Sequence, residues 1–211
     1  MLMATERSSK ENILNRIRKA LINPVPLPFP DSEGYQSVYK PSMVNDAVLF
    51  AEEFTNLQGQ FSFCENEYEL KQQIFSLIKE KGWTNIYCKE ENFLQLLGLT
   101  AGTDLAGCDV SITGCEYLVA RTGSIVMSAA QQSGRTTSVY APIHICIAYN
   151  SQLLFDINDA LSFFKEKYKD NFPSFITFAS GPSRTADIEK TLVTGVHGPK
   201  EVYCFLVEDG S

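Results

Sequence analysis

The residues from Ser180 to Glu189, Ser180-Gly181-Pro182-Ser183-Arg184-Thr185-Ala186-Asp187-Ile188-Glu189, follow directly on an apolar, strand-like run at 175–179. A turn of glycine, serine and proline after a strand leaves backbone N–H groups and hydroxyls uncommitted, and Arg184 adds a fixed cation. Those are the donors an anion needs. In one reading the turn opens a helix, whose positive end holds a small carboxylate or phosphate against Ser180, Gly181, Ser183, Arg184 and Thr185. In the other, Ser183 or Thr185 is a plain N-cap, and Asp187 and Glu189 are ordinary first-turn acids. Open α/β folds bind ligands at such a strand-to-helix turn.

Gly195-Val196-His197-Gly198-Pro199 comes shortly after. A histidine between glycines sits where backbone approaches a ligand closely, and imidazole moves protons near neutrality, so His197 is a candidate acid or base. Its alternative is a ring fixed to a backbone carbonyl. The other histidine, His144, lies in Ile143-His144-Ile145-Cys146-Ile147, where alternation places it opposite Ile143 and Ile145 as a hydrogen-bonded structural residue. Thr113-Gly114-Cys115-Glu116 and Thr122-Gly123-Ser124 add two more glycine turns, with Glu116 the sole carboxylate between Asp109 and Asp156. Thr122, Gly123 and Ser124 could line a pocket with hydroxyls and N–H groups; equally, both stretches read as β-turns.

Several chemistries lack their usual carriers. There is no G-x-G-x-x-G, no G-x-x-x-x-G-K-[ST], no H-E-x-x-H and no G-x-S-x-G. The cysteines at 64, 88, 108, 115, 146 and 204 form no C-x-x-C pair, so they read as buried free thiols and no metal site is expected of this chain alone. A formal charge of −7 and a pI near 4.9 argue against nucleic acid. No apolar run is long enough to span a bilayer and the N-terminus lacks a signal-peptide core, so a cytoplasmic protein is expected.

The elements that must position these residues are legible as patterns. Ser8-x-x-Glu11 fits a capping box, Ile13, Leu14, Ile17 and Leu21 share a helical stripe, and Pro24, Pro26, Pro28 and Pro30 make an extended arm. This predicts an N-terminal helix and proline-rich arm over 1–41, then a single α/β domain over 42–211. Helices are expected from 42 to 59, around Ile74 and Ile78, and up to Gly98, alternating with strands at 61–64 and 85–88, which predicts parallel strands. Short strands are expected at 110–113, 117–120, 124–127, 137–140 and 144–148. A helix over 156–169 and strands at 175–179 and 202–207 complete the order.

The quoted motifs, Thr113-Gly114-Cys115-Glu116 with Ala120-Arg121-Thr122-Gly123-Ser124, then the Ser180–Glu189 and Gly195–Pro199 stretches, resemble the lactate-utilisation (LUD, formerly DUF162) family, closest to its short-subunit (LutC/YkgG) branch. The resemblance runs from about Ser111 to Val207. It implies an α/β/α sandwich with a mixed, largely parallel sheet resembling the NagB/RpiA/CoA-transferase fold. It also implies a subunit of a system oxidising L-lactate to pyruvate, beside an iron–sulfur LUD-domain protein and a second cluster-binding subunit. The clusters belong to those partners; this chain, ending at Ser211 without a cysteine-rich region, holds no redox centre. Arg121 stands where the family often has an acid, so no acid role carries over there. The implied pocket joins Thr122, Gly123 and Ser124 to Ser180–Thr185 and His197. The alternative is a stand-alone acyl-CoA transferase or phosphosugar isomerase with Glu116 as nucleophile or base.

Overall fold

The computed structural model describes residues 9–22, 44–188 and 191–209. The chain divides into two units, Met1–Pro41 and Ser42–Ser211. In the first, helix α1 (Ser9–Ile22) has Glu11 in its first turn and Lys19 in its last, charges that complement the helix dipole. Ser8 and the proline-rich arm lie outside the described residues.

The second unit begins with α2 (Asp46–Asn56), capped by the Asn45 side chain, which accepts from the Ala47 N–H at 2.8 Å. It continues through β1 (Gln60–Cys64), α3 (Glu67–Lys81), β2 (Ile86–Cys88), α4 (Glu91–Leu97), β3 (Val110–Thr113), β4 (Tyr117–Val119) and β5 (Ser124–Ser128). Then follow α5 (Thr137–Tyr140), β6 (Ile143–Tyr149), β7 (Leu153–Leu154), α6 (Ile157–Tyr168), β8 (Ile176–Ala179), β9 (Arg184–Ile188), β10 (Thr191–Thr194) and β11 (Glu201–Val207).

Five strands form an all-parallel sheet in the order β1-β11-β6-β3-β2. β6 and β11 lie inside it and are buried on both faces, which is why they read as nearly unbroken apolar runs. On one face Ile145 and Ile147 pack with Leu70 and Ile74 of α3 and with Phe93 and Leu97 of α4. On the other, Cys146, Ala148, Val202 and Cys204 meet Phe50 and Phe54 of α2 and Leu118 and Ile125 of a second sheet, ordered β7-β4-β5-β8. The outer face of that sheet is covered by α6, through Val119 and Val126 against Ala160 and Phe164. The α/β class and the largely parallel central sheet are as expected; the second sheet is inserted between the central sheet and α6. All six cysteines are free and buried. Among the described residues no helix is long and apolar enough to cross a membrane.

Two local expectations are corrected. Residues 137–140 form a single helical turn, not a strand. The Tyr140 N–H closes on the Thr136 carbonyl at 3.0 Å and the Thr137 hydroxyl on the Ser133 carbonyl at 2.5 Å, bonds that override the strand preference of Thr, Val and Tyr. The stretch after Ser183 is likewise no helix: β9 pairs antiparallel with β10, with Thr185 opposite Val193 and Ile188 opposite Thr191. These β-branched residues favour the ladder. Asp187 therefore belongs to a strand, and no helix N-terminus stands behind Ser183. Glu189 lies outside the described residues.

Candidate functional site

The two C-terminal motifs clasp each other through backbone. The Ser183 N–H donates to the Pro199 carbonyl at 2.9 Å, and the Gly195 N–H donates to the Ser183 carbonyl at 2.9 Å. The Thr122-Gly123-Ser124 turn joins them through a run of hydroxyls: Thr122 Oγ1 lies 2.8 Å from Ser124 Oγ, which lies 2.6 Å from Ser180 Oγ. Pieces distant in sequence are thus brought together.

Much of that polar inventory is committed to α2. Gly123 has φ 54°, and a Cβ there would lie 2.5 Å from the Phe54 nitrogen; Gly181 has φ 80°, and a Cβ there would lie 2.5 Å from the Leu57 carbonyl oxygen. Both turns press directly on the backbone at the end of α2, which only glycine permits. The Arg184 guanidinium donates to the same Leu57 carbonyl, so it ties β9 to α2 instead of projecting a free fork at an anion. Thr185 is held in the hairpin opposite Val193.

Behind the clasp is a cavity of about 200 Å³. Of the predicted site residues, Gly181, Ser183 and His197 line it, with Ser138, Thr177 and His144 as further polar groups and Met127 and Val202 among its apolar walls. His197 is exposed, and it also lines an adjoining cleft of about 440 Å³ with Tyr140 and Lys200. It therefore stands at the mouth.

His144 is the residue that sequence reasoning assigned to structure alone. It is 1% exposed, pairs in register with Ser111 and Val202, and lies on the sheet face opposite Ile145, as the alternation predicts. Its Nε2 is 2.8 Å from Thr113 Oγ1, so it does have the expected structural bond. Burial pushes its pKa down to about 4, leaving the ring neutral at pH 7. It also lines the cavity. The available signal was a histidine flanked on its own face by Ser111 and Thr113, polar residues in strands otherwise apolar.

Glu116 lies elsewhere. It is 5% exposed and accepts from Ser128 Oγ at 2.5 Å, Tyr168 OH at 2.6 Å and Lys167 Nζ at 2.8 Å. Burial pushes its carboxyl up, but those three donors outweigh burial and hold it below the usual range. Glu90, which accepts from the Gly114 N–H at 3.0 Å, is raised by burial. Both carboxylates line a separate groove of about 530 Å³ with Lys167 and Tyr168. His197 and Glu116, the two predicted catalytic residues, thus face different spaces. Arg121 pairs with Asp156 at 2.6 Å and steadies the N-cap of α6. Among the described residues no group of three or more His, Cys, Asp or Glu side chains is placed to hold a metal ion.

The sequence profile of the LUD domain matches residues 100–207, about half of the chain. The chain belongs to the LUD family. All the motifs above, from Thr113 to Pro199, fall inside that LUD domain. Lactate utilization protein C of Bacillus licheniformis is 34% identical over 103 residues, covering 48% of this chain and 43% of that protein. Proteins of the same name from Halalkalibacterium halodurans and Deinococcus radiodurans are 36% identical over 103 residues and 30% identical over 105, covering 48% and 49% of this chain and 45% and 49% of those proteins. The match thus spans less than half the length of each of these relatives. In fold, the LUD chain resembles the crystal structure of a DUF162 family protein from Deinococcus radiodurans, with a TM-score of 0.58 at 16% identity over 78% of this chain and 99% of that one.

Proposed function

We propose that this chain is a subunit of a system oxidising L-lactate to pyruvate, that it holds a small carboxylate in the cavity behind the clasp, and that it carries no redox centre itself. Relatives named lactate utilization protein C support the pathway. The observation that supports the site is the clasp, which brings Gly181 and Ser183 together with the His197 loop around one cavity. His197 and Lys200 at the mouth supply N–H donors to a carboxylate on a chain that is acidic elsewhere. Iron–sulfur clusters on partner proteins, an iron–sulfur LUD protein and a second cluster-binding subunit, would supply the acceptor for the two electrons that leave lactate with two protons. The protein works in the cytoplasm.

The geometry favours no second reading. An acyl-CoA transferase or phosphosugar isomerase would need Glu116 as a free nucleophile or base, whereas its buried carboxylate is held by three donors, Ser128, Tyr168 and Lys167. Deleting the gene in a host without a paralogue is expected to abolish growth on L-lactate, with restoration by the wild-type gene and weaker restoration by His197→Gln. Undiminished growth of the deletion strain would refute the assignment.

A further inference from the structure

One nitrogen of His144 has no hydrogen-bond partner among the described residues. Thr113 Oγ1 donates its single hydrogen to the Gly114 carbonyl at 2.9 Å, so it can only accept from His144, and Nε2 must carry the ring hydrogen. Nδ1 then holds a lone pair. Among the described residues the ring has no other hydrogen bond, and no fully buried side-chain nitrogen or oxygen lacks a partner. Nδ1 is therefore the atom open to the cavity that the ring lines.

We propose that His144 reads a ligand hydroxyl, so that the cavity takes a 2-hydroxy acid in preference to the corresponding 2-keto acid. This rests on the small-carboxylate reading above and goes further, naming the oxidation state that is held. A hydroxyl donates to the Nδ1 lone pair. A keto oxygen sets lone pair against lone pair, or forces the ring into its other tautomer, which draws the Thr113 hydroxyl away from the Gly114 carbonyl. Thr113 is thus a positioning residue. The cavity's other polar side chains include Ser138, Thr177 and Ser183, hydroxyls that rotate to donate or accept and so discriminate little. The neutral ring, its tautomer fixed from behind, is the group that tells the two oxidation states apart. With the hydroxyl at His144, the carboxylate points to the mouth at His197. The site holds lactate and lets pyruvate go.

The chain has two histidines, so a protein labelled with ring-15N histidine gives two spin systems, and His197→Gln identifies that of His144. Nδ1 of His144 is expected to resonate as an unprotonated nitrogen and to shift on adding L-lactate or glycolate. By calorimetry the wild-type protein is expected to bind L-lactate at least about tenfold more tightly than pyruvate. His144→Gln offers both donor and acceptor, and should narrow that ratio to within about threefold. A protonated Nδ1, a ring indifferent to every 2-hydroxy acid, equal affinities in the wild type, or a ratio unchanged in His144→Gln would each overturn the proposal. The growth test is separate. Lost growth with an indifferent ring rejects the reading of His144 alone; a responsive ring in a protein dispensable for growth rejects the lactate role alone.

Discussion

His144 gives up its charge in order to sit between two sheets, and that has a consequence for stability. Its ordinary value of 6.5 falls to about 4 through burial, so between those pH values the unfolded chain binds a proton that the folded chain does not. The contribution is complete above pH 6.5 and is lost as pH falls toward 4, to the extent of about 3 kcal/mol. Two carboxyl groups act in neighbouring windows. Glu116, held low, adds its own loss as pH falls through its lowered value, while Glu90, held high, has the opposite sign. The specific reporter is therefore a difference. Urea denaturation at pH 7 and pH 4.5 should show a clear drop for wild type and a smaller one for His144→Gln; identical drops would mean that the ring is not the source.

At the scale of elements, the candidate site is a set of turns pressed onto the end of α2. Gly123 and Gly181 each combine a positive φ with a backbone neighbour only 2.5 Å from where a Cβ would sit, whereas Gly134, with φ 66°, has open space around it. Gly134→Ala should cost about 1 kcal/mol for the left-handed conformation alone. Gly123→Ala and Gly181→Ala should cost about 3 kcal/mol or more, because α2 must also move, and the Gly181 change should distort the cavity. Unfolding midpoints in urea decide this; equal costs at all three positions would show that the turns do not bear on α2. The parallel strands were legible because helices alternate with strands from α2 to α4, and α6 because Ala160, Leu161, Phe164 and Tyr168 fall on one side of it. The β9–β10 hairpin was not, because Asp187 so near a serine-proline turn also fits a helix start, and only pairing with Thr191 and Val193 settles it. The nearness of Ser124 to Ser180 and of Ser183 to the His197 loop is what the family resemblance implies, and spacing alone does not show it. The commitment of Arg184 to Leu57 could not, since nothing in the spacing places α2 beside it.

At the scale of the whole molecule, the described core belongs to one unit. Each hydrophobic cluster is drawn from Ser42–Ser211, running from Phe50 in α2 to Val207 at the end of β11. The residues that clasp the cavity and those that line it also belong there. A unit that owns both its core and its site has what it needs to fold and bind by itself. A chain beginning at Ser42 is therefore expected to unfold in a single transition by calorimetry, within a few degrees of the full chain, and to keep the preference for L-lactate over pyruvate. The two readouts separate different failures. Loss of the cooperative transition would mean that Met1–Pro41 completes the fold. An unchanged transition with lost binding would mean that the first unit completes the site, and the cavity behind the clasp would then be only part of it.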